Sequence, residues 1–197
     1  MKLVVATTSA HKLRELRELM SQLGLALEVV GRDAFPGAPD VVEDGKTFAD
    51  NARLKAVALA TFTGQPTLAD DSGISVDALG GEPGVHSARW VEGSDEDRTR
   101  ALVARLDGVP DGQRDAHYTC ALCLALPGGP IVEVEGRCDG TIGRAFVGQG
   151  GFGYDPVFIG DDGRSFAQLT AAEKNARSHR SRALAQMAPH LRELARP

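Results

Sequence analysis

The chain has 197 residues, 42% hydrophobic and 25% charged, a usage that excludes a disordered polymer and supports a folded domain with a sizeable core. A formal net charge of −5 excludes a broad basic footprint, so no nucleic-acid partner is expected, although local Lys and Arg can still hold a small anion. The opening run Lys2 to Ala6 is too short for a signal-peptide core and no other run nears the roughly 18 apolar residues of a membrane span, so a cytoplasmic location without a membrane partner is expected.

Residues 2–6 read as a buried first strand, and Leu13, Leu16, Leu19, Met20 and Leu23 then recur at helical spacing until Gly24 stops the helix. Between them, Thr7-Thr8-Ser9-Ala10-His11-Lys12 places hydroxyls, backbone N–H groups and a lysine where phosphate can bind. The same turn suits an ordinary N-cap by Thr8 or Ser9, and the Walker pattern is absent from the chain. Thr47 with Asp50 makes a capping box for a helix through about Leu59. That helix carries Asn51 and Lys55 and is preceded by the polar loop Glu43-Asp44-Gly45.

Next, Leu68-Ala69-Asp70-Asp71-Ser72-Gly73 ends an apolar strand on two adjacent carboxylates, which repel unless a cation or proton lies between them. Magnesium prefers one or two carboxylates plus phosphate oxygens, so Glu43 and Asp71 with a triphosphate would form a sensible shell; an Asx-turn is the plainer alternative. Ser94 with Asp97 caps a helix ending near Gly108. Between 115 and 142, two strand-like runs joined by Pro127-Gly-Gly-Pro130 read as a hairpin and as a β-rich second lobe. Cys120 and Cys123 lie three apart on one of these strands and face opposite sides, so with Cys138 they read as structural thiols.

Gly148-Gln-Gly150-Gly-Phe-Gly153 matches GxGxxG, but Pro156 stands where a dinucleotide-binding helix should open and too little chain remains for paired βαβ halves. Gly150 to Pro156 instead reads as a flexible loop offering Phe152 or Tyr154 as a ring for stacking. Finally, Thr170 with Glu173 begins a capped helix holding Lys174, His179 and Arg180. Lys174 and His179 would stand about 140° apart on a continuous helix, so their convergence requires a break and restart at Ser178. The alternation of strands and helices indicates an α/β fold, and the lack of a linker indicates one domain over 1–197 with two lobes and a cleft between them.

In order along the chain, Ala6-Thr-Thr-Ser-Ala-His-Lys12, Glu43-Asp-Gly-x-Thr47-Phe-x-x-Asn51-Ala-x-x-Lys55-Ala, Ala69-Asp-Asp-Ser-Gly73, Gly80-Gly-x-Pro-Gly-x-x-Ser-Ala-Arg89, Gly150-Gly-Phe-Gly-Tyr-Asp-Pro156 and Glu173-Lys-Asn-x-x-Ser-His-Arg180 resemble the inosine triphosphate pyrophosphatase family, also called XTP/dITP diphosphatases. One departure is Ser9, where the family usually has Asn. The resemblance implies a homodimer of two-lobed α/β subunits, ITPase-like, with an elongated mixed central sheet flanked by helices and the nucleotide in the cleft. It implies Mg2+-dependent hydrolysis of ITP, dITP and XTP to the monophosphate and pyrophosphate, a house-cleaning of the nucleotide pool. By the same resemblance, Thr7, Thr8, Ser9, Ala10, His11 and Lys12 hold phosphates, and Ser72 the triphosphate. Glu43 and Asp71 hold the metal, and Asp71 is the catalytic proton acceptor; Phe152, Gly153, Tyr154, Asp155, Lys174, His179 and Arg180 hold and read the base.

Two other classes compete. A related enzyme acting on modified pyrimidine triphosphates would use the same metal chemistry. A nucleotide-binding sensor would have little use for Glu43, Asp70 and Asp71 together, since they repel phosphates unless a metal is present.

Overall fold

A computed structural model describes residues 1–196. Six strands and five α-helices follow in the order β1 (Lys2–Val5), α1 (Ala10–Gln22), β2 (Glu28–Gly31), α2 (Phe48–Thr63), β3 (Thr67–Val76), α3 (Asp95–Arg105), β4 (Asp115–Ala125), β5 (Ile131–Ile142), β6 (Phe158–Ile159), α4 (Ala171–Arg177) and α5 (His179–Leu194). Local chemistry sets the boundaries. Ser9 caps α1, and beyond its end Gly24 takes φ 64° while the Leu25 N–H returns to the Met20 carbonyl. The three predicted capping boxes, Thr47 with Asp50, Ser94 with Asp97 and Thr170 with Glu173, form at the starts of α2, α3 and α4. α2 outruns its expected end at Leu59 and stops where Gly64 adopts the left-handed conformation; α3 stops at Arg105, short of Gly108.

The strands form one mixed sheet in the order β2-β1-β3-β4-β5-β6, with β1 parallel to β2 and β3 and β6 antiparallel to β5. The α/β class expected from the alternation is what the chain adopts. β4 and β5 are neighbours joined through the Pro127–Pro130 turn, the predicted hairpin. Among the described residues, no helix is long and apolar enough to cross a membrane.

Internal contacts divide the chain into two compact units. Unit 1 comprises Met1–Asp71, Cys120–Gly136 and the chain from Arg180 onward; unit 2 comprises Ser72–Thr119 and Arg137–His179. The hairpin expected as a second lobe is therefore shared: its turn end, Cys120–Gly136, lies in unit 1.

Unit 1 is a three-layer packing written into strand alternation. Leu3, Val5, Leu68, Cys120, Leu122 and Leu124 face Leu16, Leu19 and Met20 of α1 and Ala183, Leu184, Met187 and Leu191 of α5. The intervening residues Val4, Ala6, Ala69, Ala121, Cys123 and Ala125 face Ala52, Ala56, Leu59 and Ala60 of α2. Small residues predominate on the second face, which lets α2 approach closely. Cys120 and Cys123 fall into different layers, as their spacing requires, and none of the three cysteines forms a disulfide. Unit 2 has its own core, in which Ile74, Val76, Tyr118, Cys138, Ile142 and Phe158 pack with Leu102 of α3, Leu106 at its C-cap, and Phe166.

Candidate active site

In unit 1, the parallel register aligns Val5 with Leu68, and the Ala6 N–H bonds the Leu68 carbonyl. Asp70 and Asp71 thus come level with the Thr7–Thr8 turn at the carboxyl end of β1, a position where α/β sheets hold ligands; β3 itself does not end on the two carboxylates, as the sequence suggests, but runs on to Val76. Alternation then separates the two carboxylates. Asp70 follows Leu68 onto the α1/α5 face, and Asp71 follows Ala69 onto the α2 face.

Asp70 is fully buried and receives Lys12 Nζ at 3.1 Å and Arg180 Nη2 at 3.3 Å on one oxygen, Oδ2. Burial by itself would push its pKa up, but Lys12, Arg180 and Lys55 together outweigh that and hold the carboxyl well below its ordinary value. Arg180, expected at the base, is also buried and pairs through its other terminal nitrogen with Glu15 of α1. Burial opposes its charge, yet Asp70, with Glu15 contributing, keeps it protonated beyond the usual guanidinium range. Glu15 carries no local signal in the sequence; its role follows from α1 and α5 sharing one face of the sheet.

Asp71 sits in a different environment. Burial, the largest influence, raises its pKa despite Lys55, Lys12 and a hydrogen bond from Asn51, and Glu43 pushes in the same direction as burial. Asn51 Nδ2 donates to Asp71 Oδ2 at 3.1 Å, while Lys55 Nζ donates to Asp71 Oδ1 at 3.3 Å and to Glu43 Oε2 at 2.8 Å. The Asn51 amide oxygen accepts from the Gly45 N–H at 2.9 Å, which ties the Glu43 loop to α2. A Cβ on Gly45 would lie 2.6 Å from that oxygen, so the loop needs glycine there. Burial opposes the Lys55 charge, but Asp71, Asp70 and Glu43 more than compensate and raise its pKa. Asn51 and Lys55, to which the sequence assigned no role, are four apart on α2 and therefore share a face. Glu43 and Asp71 offer hard carboxylate oxygens gathered around a single cationic group, a donor set that fits a small divalent cation.

The Thr7–Lys12 turn lies beside Asp70. Thr7 Oγ1 accepts from the Ser9 N–H at 3.1 Å, and Ser9 Oγ accepts from the Lys12 N–H at 3.4 Å as the cap of α1. Thr8, Ala10 and His11 are exposed, and His11 Nδ1 is 3.0 Å from Arg14 Nη2. Ser72 follows Asp71 on β3, half-buried.

Unit 2 gathers two of the expected base-reading residues, Phe152 and Lys174, around a third, Asp155, which is 2% exposed. Asp155 Oδ2 accepts from the Phe152 N–H at 2.9 Å and from Lys174 Nζ at 2.7 Å, and Asp155 Oδ1 accepts from the Tyr118 hydroxyl at 3.4 Å. Lys174 also lies over the Phe152 ring, 4.7 Å from its centroid. His179 stacks on Tyr118 with ring centroids 4.6 Å apart and planes 12° from parallel. The helix breaks as its spacing demanded: α4 ends at Arg177, Ser178 is extended, and α5 restarts at His179. Lys174 and His179 thereby meet one Asp155–Tyr118 pair. Gly151 at φ 72° lets the loop close, since a Cβ there would lie 2.1 Å from Asp155 Oδ2. Of the two rings expected to stack, Phe152 is half-buried, whereas Tyr154 is core: its hydroxyl donates to the Ser87 carbonyl at 2.8 Å. Ser87, from the Gly80–Arg89 motif, also accepts the Ile74 N–H, and Gly73 is the residue that leaves room for its hydroxyl.

The model of the Ham1 family matches residues 3–190. A dITP/XTP pyrophosphatase of Symbiobacterium thermophilum is 53% identical over 93% of this chain and 91% of its own length. Among solved structures, a nucleoside-triphosphatase/dITP/XTP pyrophosphatase from Mycobacterium abscessus is similar at 45% identity and TM-score 0.77, covering 98% of this chain and all of its own. A HAM1 protein from Coxiella burnetii is similar at 36% identity and TM-score 0.87 over 98% of this chain and 99% of its own.

Proposed function

The chain belongs to the Ham1 family, and from that premise we propose that it hydrolyses non-canonical purine nucleoside triphosphates, dITP, XTP and ITP, to the monophosphate and pyrophosphate. The observation that carries this reading is the division of the two adjacent carboxylates. Asp70 is spent on Lys12 and Arg180, while Asp71 stands with Glu43 around one lysine and keeps a raised pKa suited to accepting a proton. The names of the relatives, dITP/XTP pyrophosphatase, support the proposed activity.

Asp71 takes the proton of a water that attacks the α-phosphorus; a new P–O bond forms as the bond to the bridging oxygen breaks, and pyrophosphate leaves. Asn51 orients Asp71 for this step. Glu43 and Asp71 would hold Mg2+, which when bound neutralises charge on the phosphate oxygens. Lys12 and the Thr7–Lys12 turn receive phosphate, and Ser72 receives the triphosphate. Phe152 supplies a stacking face for the purine. Lys174 and His179 supply donors, which reward the keto oxygen of hypoxanthine or xanthine and leave an adenine amine unmatched. We give Arg180 a positioning role through Asp70 rather than a contact with the base. The working form is a cytoplasmic homodimer that clears deaminated purines, and light scattering would read its mass.

A panel of nucleoside triphosphates assayed for pyrophosphate with MgCl2 tests the proposal. Release from dITP, XTP and ITP well above ATP and GTP is expected. A preference for modified pyrimidine triphosphates would favour the related-enzyme reading, and binding without turnover would leave a sensor.

A further inference from the structure

The Lys55 ammonium lies between Glu43 Oε2 at 2.8 Å and Asp71 Oδ1 at 3.3 Å, on a side chain only 15% exposed. On the reading that these two carboxylates take the divalent cation, we propose that Lys55 is the site's built-in counter-cation. It holds the carboxylates together in the nucleotide-free enzyme, keeps magnesium off them, and gives up the position only when a triphosphate arrives to receive the ammonium.

Magnesium binds carboxylate oxygens at about 2.0–2.1 Å, so an ammonium hydrogen-bonded to the same oxygens would sit against it with like charge and nothing between. One of the two must leave. Lys55 is the group able to do so, because its four-carbon stem is flexible while Asp71 is pinned by Asn51 and the Glu43 loop is tied to α2 through Gly45. Departure without a new anion would strand the ammonium; a triphosphate supplies one. Metal and nucleotide should therefore bind cooperatively, each paying less when the other is present. Lys12 is a natural comparison: its ammonium pairs with Asp70 on the other face of the sheet.

Titration of the full-length protein with MgCl2 alone, followed by calorimetry and by thermal unfolding, tests this without any turnover. The wild type should bind weakly. Lys55→Met should bind Mg2+ tighter by about tenfold or more, and its nucleotide-free form should melt earlier than the wild type and recover on adding MgCl2. Lys55→Arg keeps the positive charge and should remain weak, and Lys12→Met, which removes a charge without vacating the position, should tighten binding much less than Lys55→Met. Equal affinities in Lys55→Met and wild type would overturn the proposal, as would an equal gain in Lys12→Met. If Lys55→Met does not fold, Lys55→Gln carries the same comparison.

The carboxylate reading is tested separately by adding Glu43→Gln or Asp71→Asn. Loss of the gained affinity upholds both ideas, and tight binding that survives both changes refutes the carboxylate ligands. If Lys55→Met matches the wild type while Glu43→Gln and Asp71→Asn each abolish magnesium binding in the wild-type background, only the role of Lys55 falls.

Discussion

Asp70 and Asp71 are neighbours within β3 yet meet opposite faces of the sheet, and their environments differ accordingly. Asp71→Asn keeps the shape and the Asn51 contact but removes the proposed proton acceptor and the proposed negative metal ligand. Its kcat should fall by about 10²–10⁴-fold from general-base loss, with the fold intact by circular dichroism. Asp70→Asn instead leaves Arg180 buried with reduced compensation, and breaking such a pair costs about 3–5 kcal/mol. Chemical denaturation should show that loss, and it should dominate any direct effect on turnover. Arg180→Ala should destabilise similarly and lower kcat/KM for ITP and ATP together; a compressed ITP-to-ATP ratio in a stably folded variant would return Arg180 to the base. The depressed pKa of Asp70 has a pH consequence. Its contribution to stability is present above the ordinary carboxylate value and is lost as pH falls through the folded value, so the Asp70→Asn penalty should shrink toward strongly acidic pH.

At the scale of elements, the Gly150–Pro156 loop and the broken helix act together, because Asp155 receives Phe152, Lys174 and Tyr118. Gly151→Ala would place a Cβ on Asp155 Oδ2 in a strained backbone and dislodge Asp155 from Lys174. Loss of one hydrogen bond to a charged group, about 1.5–3 kcal/mol, predicts a fall of about 10–100-fold in kcat/KM for ITP. Steady-state kinetics would check it, and an unchanged KM would count against Asp155 ordering this loop. These elements also show what a sequence can reveal. Capping boxes at Thr47, Ser94 and Thr170 were legible because capping joins residues three apart. The break at Ser178 was legible because helical geometry otherwise separates Lys174 from His179. Asp70 and Asp71 were read as one repelling pair, although the alternation that separated Cys120 from Cys123 applies equally to them. Glu15 and Tyr118 were not legible, since their partners are 165 and 37 residues away. Tyr154 stands out in the sequence as an aromatic in a Gly-rich loop, but its bond to Ser87 depends on packing that no local pattern encodes.

For the molecule as a whole, the α2-facing and α1/α5-facing layers of unit 1 bury their thiols without pairing them. Burial pushes Cys120 and Cys123 up to about 12 from the ordinary 9.0, so the fold favours the neutral thiol. Stability from this source is complete below the ordinary value and is lost as pH rises from there toward 12, because the unfolded chain then ionises and the folded one does not. Native protein at pH about 8 should resist alkylation by iodoacetamide and react fully once unfolded, with melting temperature declining through the alkaline range. Rapid labelling of the native chain would mean that the layers open readily.

The proposed attack of water on the α-phosphorus, with Asp71 as proton acceptor, is tested most directly by hydrolysing dITP with MgCl2 in water labelled with heavy oxygen and weighing the products. One labelled oxygen in dIMP with unlabelled pyrophosphate, at a rate that collapses in Asp71→Asn, is the predicted result. Label in pyrophosphate, release of inorganic phosphate in place of pyrophosphate, or an undiminished rate in Asp71→Asn would contradict it.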